Sequence, residues 1–136
     1  MTISAAIAAW LTKYKAMSVE TNHIKDGADK YGLFKSPTRT TKEFNDGDYE
    51  ITEFYQFFAR QAAVSEGDRS DSDAWLEALA YWADDYPLLF EYPELDGGRQ
   101  ITKIERAGIP YPIESGSGET LYQLSLSITY RREREV

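Results

Sequence analysis

The chain has 136 residues, 42% hydrophobic and 14% aromatic, which suffices for a buried core and excludes a disordered tail. Its net charge of −8 argues against sequence-independent DNA binding, which needs Lys and Arg to neutralise phosphates. The absence of cysteine excludes disulfides and thiolate metal sites.

A single domain over residues 1–136 is expected. Ile3, Ile7, Trp10, Leu11 and Tyr14 recur at helical spacing, so an amphipathic, core-packing helix is expected over 3–16, capped by Thr2 or Ser4. Ala5–Leu11 is apolar but lacks the basic start and cleavage site of a signal peptide. No apolar run approaches the roughly 20 residues that span a bilayer, so no membrane role is expected. Met17–Ile24 reads as a short strand. It carries His23, the only histidine, which has no Cys or His partner for a metal and no nucleophile to serve.

Asp26–Pro37 reads as a loop punctuated by Gly27, Gly32 and Pro37. Tyr31, Leu33 and Phe34 inside it are either tucked under or offered to a partner. The β-branched stretch Thr38–Phe44 reads as a strand. Asn45-Asp46-Gly47-Asp48 is a turn, and a hairpin joins that strand to the next. In the next strand, over 49–62, Tyr49, Ile51, Tyr55, Phe57 and Ala59 share one parity, while Phe54 and Phe58 have the other. Both faces are thus partly apolar. The second face is covered either by the chain's own loops or by another subunit.

Ser70 with Asp73 approximates a capping box for a helix over 70–86. Trp75, Leu79, Trp82 and Tyr86 form its apolar stripe, read as core packing with Trp82 against the sheet, and Pro87 stops or kinks it. Leu88–Leu95 continues apolar, and Asp96-Gly97-Gly98 is a turn. Arg99–Ala107 is a short strand in which Ile101 and Ile104 differ in parity, the signature of a bulge. Gly108–Pro112 ends it, and Ser115-Gly116-Ser117-Gly118 reads as a flexible connection. That run lacks the Lys, spacing and following helix of a phosphate loop. From Thr120 to Arg131, Tyr122, Leu124, Leu126, Ile128 and Tyr130 alternate with polar residues, the pattern of a long half-buried strand. Arg131, Arg132 and Arg134, interleaved with Glu133 and Glu135, read as a solvated strand end.

The fold class expected is α+β: a predominantly antiparallel sheet of about four strands (38–44, 49–62, 99–107, 119–132) with two helices on one face. No nucleophile–base pair or metal cluster is visible, so neither catalysis nor a cofactor is expected. A small enzyme or ligand-binding module would use an aromatic pocket near Tyr55, Trp75 and Trp82, and would need an apolar cavity between sheet and helices.

Several segments together resemble the tail terminator, or tail completion, proteins of long-tailed phages and prophages, often labelled minor capsid proteins. They are the N-terminal helix, ITEFYQFFARQA (51–62), DAWLEALAYWADD (73–85), YPELDGGRQITKIE (92–105) and ETLYQLSLSITYRRE (119–133). Residues 17–48 match least. The resemblance implies a structural virion protein at the head–tail joint, made in the host cytoplasm. It implies a homohexameric ring that caps the tail tube protein, ends tube growth and meets the head connector protein, with DNA passing through the lumen without specific binding. A head–tail connector or other minor virion protein is the alternative. The subunit interface expected for such a ring includes Tyr31, Phe34, Phe54, Phe58, Ile109 and Tyr111.

Overall fold

In a computed structural model, which describes residues 2–89, 91–116 and 118–134 and not the side chains of 87–89, the chain is α+β. Expectations falling on Phe90, Ser117 and Glu135 lie outside the described residues. The elements in order are α1 (Ile3–Leu11), β1 (Val19–Thr21), β2 (Lys30–Glu43), β3 (Tyr49–Ala62), α2 (Glu66–Leu89), β4 (Arg99–Arg106), β5 (Tyr111–Gly116) and β6 (Glu119–Arg132).

The six strands form one sheet in the order β1-β2-β3-β6-β4, with β5 also paired to β6. Every pairing is antiparallel except β1 with β2. The four expected strands are present; β1 and β5 make the sheet larger than four. At its centre β3 and β6 pair without interruption from Tyr49↔Arg132 to Ala62↔Glu119. That register sets Ile51, Tyr55, Phe57 and Ala59 of β3 beside Tyr130, Leu126, Leu124 and Tyr122 of β6. All eight are buried, so the alternation of both strands resolves onto one dry face. The expected bulge in β4 falls between Ile101 and Lys103, and it returns both Ile101 and Ile104 to the core.

The two helices and this dry face share one hydrophobic cluster. Thr2 caps α1 by accepting from the Ala5 N–H at 3.1 Å. The helix stops at Leu11 rather than 16. There Lys13 and Tyr14 donate to Trp10 and Leu11 in tighter i→i−3 turns. Helix α2 starts earlier than expected. Ser65 Oγ accepts from the Asp68 N–H at 3.1 Å, and Asp68 accepts back from the Ser65 N–H at 3.3 Å, so the capping box is Ser65–Asp68 and not Ser70–Asp73. Pro87 does not stop it at 86; the helix runs on to Leu89. Trp82 is partly buried against the core, and its ring lies between the helices, 4.8 Å from Trp10 and 5.0 Å from Tyr86. Tyr14 ties the helices together by donating to the Trp75 carbonyl at 3.0 Å.

The stretch 30–37, expected as loop, is the first half of β2. Gly32 is required there by a close approach: a Cβ on it would lie 2.3 Å from the His23 carbonyl oxygen and 3.0 Å from the Ile24 side chain. Residues 115–116, expected as a flexible connection, belong to β5. The arginines of the last strand are not simply solvated. Arg131 reaches Asp46 at 2.6 Å and Asp48 at 3.1 Å and lies over the Phe44 ring, while Arg134 bonds Glu43 and Tyr49, so this end of the chain clamps the β2–β3 turn.

Candidate functional site: an uncovered sheet face

The helices cover one face of the sheet. The side chains on the other face are set by the parity opposite to the core. On β3 these are Thr52, Phe54, Gln56 and Phe58; their partners on β6 are Thr129, Ser127, Ser125 and Gln123. None of the eight carries a charge. The Thr52 and Thr129 hydroxyls hydrogen-bond across the strands at 2.9 Å. Phe54 remains 37% exposed. Phe58 is half-buried and meets Phe34 edge to face at 5.2 Å, diagonally across the β2–β3 pair. Tyr111, 47% exposed, stands on β5 opposite Gln123, which in turn stands opposite Phe58. Aromatic rings from β2, β3 and β5 therefore lie on one face.

Charges surround this centre. Arg60 pairs with Glu119 at 3.6 Å at one end, Lys103 with Glu105 at 2.6 Å on the β4 side, and Arg131 with Asp46 and Asp48 at the far end. An uncharged, aromatic centre inside a charged rim is the anatomy of a protein–protein contact, where charge is depleted at the core and aromatic residues are enriched.

Of the six residues expected at a subunit interface, Phe34, Phe54, Phe58 and Tyr111 share this face. Tyr31 and Ile109 do not. Tyr31 has the parity of Leu33 and points to the helix side, where it stacks on Trp75 and Phe57 and its hydroxyl accepts from Gln61 at 3.3 Å. Burial pushes that hydroxyl above its ordinary pKa. Ile109, 70% exposed, sits in the β4–β5 turn. It lines a groove of about 250 Å³ with Leu76, Ala80, Tyr81 and Pro110, edged by Asp73, Glu77 and Arg106. Sequence reasoning passed over Tyr81, 54% exposed, because it lies off the apolar stripe of its helix. Ile113, 41% exposed, lies on β5.

The aromatic residues considered for a ligand pocket fill space instead. Tyr55 is fully buried, Trp82 is wedged among Trp10, Tyr14 and Tyr86, and Trp75 packs on Tyr14 and Tyr31. Tyr55 and Tyr130 donate to the two oxygens of the buried Glu53 at 2.9 and 3.2 Å, and Arg39 approaches the same carboxylate at 4.0 Å, so the group is held in structural contacts. His23 Nε2 lies 3.6 Å from Glu20 on an exposed edge. Among the described residues, no three His, Asp or Glu side chains gather as a metal site, and no helix is long and apolar enough to cross a membrane. No protein-family model and no curated protein matches the chain.

Proposed function

We propose that the protein is a structural assembly protein that works as a homomeric ring, of six subunits, at the end of a phage tail tube, where it ends tube growth and presents the surface that meets the head connector. The observation that carries this reading is the sheet face with Phe34, Phe54, Phe58 and Tyr111 around an uncharged centre, which the chain's own helices leave uncovered. Cyclic closure covers such a face equally in every subunit. The resemblance of segments 51–62, 73–85, 92–105 and 119–133 to tail terminators supplies the virion context. The acidic balance suits a lumen through which DNA passes without adhering. The role requires no catalysis and no cofactor.

The test is to add the purified protein to tail tubes that lack it and image their ends. Ring-shaped caps and arrested elongation are expected, and Phe54→Asp is expected to abolish both. Tubes that stay uncapped and keep growing with the unaltered protein reject the reading.

A further inference from the structure

The groove between α2 and the β4–β5 turn has an apolar floor, Leu76, Ala80, Tyr81, Ile109 and Pro110, and a rim of Asp73, Glu77 and Arg106. Arg106 lies over the Tyr81 ring and its charge is taken up by Asp84 at 2.8 Å, which leaves Asp73 and Glu77 as the carboxylates of the rim. The rim belongs to a larger imbalance. Between Glu66 and Leu89 seven carboxylates face one arginine, a net −6 out of the chain's −8. Among the described residues Asp71, Asp73 and Asp85 have no cationic partner. An occupant of this groove needs a small apolar group flanked by cations.

The chain carries such a segment. From Lys30 to Lys42 there are four cations and no carboxylate. Within it, Pro37 stands between Lys35 and Arg39, where the register of β2 against β3 breaks. All residues from Pro37 to Glu43 are exposed, and Lys35 and Lys42 have no carboxylate partner among the described residues. Strand β1 pairs only Tyr31–Leu33, so this half of β2 is a free edge. Pro37 has no N–H to offer a further strand, so its contacts are made through side chains. The segment cannot reach the groove of its own chain along the sheet, because β3 and β6 separate β2 from β4.

We propose that the Lys35–Lys42 segment of one copy docks on the α2 groove of the next, Pro37 against Tyr81 and Ile109, with its cations against Asp73 and Glu77. This rests on the ring reading and adds to it a second contact between neighbouring copies. Two different patches on opposite sheet edges form a head-to-tail contact, the type that closes into a ring and not into an isologous dimer. The rim charges fix orientation and register.

The absence of native cysteine makes the contact directly readable. Pro37→Cys and Glu77→Cys chains, each alone and then mixed, are treated with a short bismaleimide at a concentration where the unaltered protein sediments as an oligomer or caps tubes. The mixture is expected to give a cross-linked dimer, and each alone none. In parallel, Lys35→Glu/Lys42→Glu and Asp73→Lys/Glu77→Lys are each expected to weaken self-association at least about tenfold, and their mixture to recover to within about threefold. Circular dichroism identical to the parent shows that the variants fold. A protein that assembles normally yet gives no mixed cross-link, or whose reversals are not rescued by mixing, overturns this contact and leaves the ring standing. A protein that is monomeric at every concentration and on tubes overturns both.

Discussion

Glu53 and Tyr130, 77 residues apart in sequence, are joined by a 3.2 Å hydrogen bond inside the core, and Tyr55 donates to the other oxygen of the same carboxylate at 2.9 Å. Arg39 approaches at 4.0 Å from the exposed side. Glu53 thus links the two central strands through side chains as well as backbone. Glu53→Ala removes one acceptor group and leaves two buried hydroxyls without it, which should cost about 2–3 kcal/mol. Glu53→Gln, which keeps one acceptor oxygen, should cost less. Urea unfolding followed by tryptophan fluorescence measures both.

The same cluster makes stability sensitive to alkali. Burial, and then the neighbouring carboxylate, hold the Tyr55 and Tyr130 hydroxyls above the ordinary tyrosine value. In the unfolded chain they ionise near pH 10, about the free value. Below that pH the folded state keeps its full stability; as pH rises through the raised folded values, the unfolded chain loses protons first and the contribution is lost. Midpoints of denaturation should be flat to about pH 9 and fall above about pH 10. Tyr55→Phe, which removes a shifted group, should flatten that fall.

Phe54 and Phe57 are three residues apart on β3 but lie on opposite faces, one 37% exposed and the other fully buried. Phe54→Asp should change stability by about 1 kcal/mol or less while abolishing assembly. Phe57→Asp buries a charge in the core and should prevent folding altogether. Thermal melts of the two proteins test this; comparable destabilisation would mean the faces are assigned wrongly.

Two serines compete for the start of α2. Ser65→Ala removes the oxygen that accepts from the Asp68 N–H and should cost about 1 kcal/mol. Ser70, exposed within the helix, should tolerate alanine within about 0.5 kcal/mol. Amide hydrogen exchange over 65–69 separates the two, because only the first variant should fray.

How much of this was legible in the sequence follows from where the pattern was one-dimensional. The alternation of β6 and of β3 reads directly, because each strand has one face against the helices and a period of two records it. Phe54 and Phe58 were placed by that parity alone. Tyr31 was not, because Gly32 and Pro37 read as loop punctuation and hid the parity it shares with Leu33. Gly32 is a strand glycine whose reason, the carbonyl of His23, lies nine positions away and is visible only in three dimensions. The helix start was misplaced because Ser65–Asp68 and Ser70–Asp73 have the same spacing, and nothing local chooses between them. Ile109 looked like part of the same surface as Tyr111, but the β4–β5 turn carries it to a groove beside α2.

The pairing of β3 with β6 has a consequence for how the chain acquires its fold. The β2–β3 hairpin closes locally over residues 44–48 and can form on a microsecond scale. Its partner strand arrives only after α2, β4 and β5, so the contacts that seal Tyr55 and Phe57 are among the most distant in the chain. High contact order of this kind puts folding in the slow part of the two-state range, milliseconds to seconds. During that interval the inner edge of β3 is unpaired and both its faces are apolar. The step most open to misassociation is therefore the wait for β6, and crowding the nascent chains, as in strong overexpression, should favour aggregates seeded by 49–62.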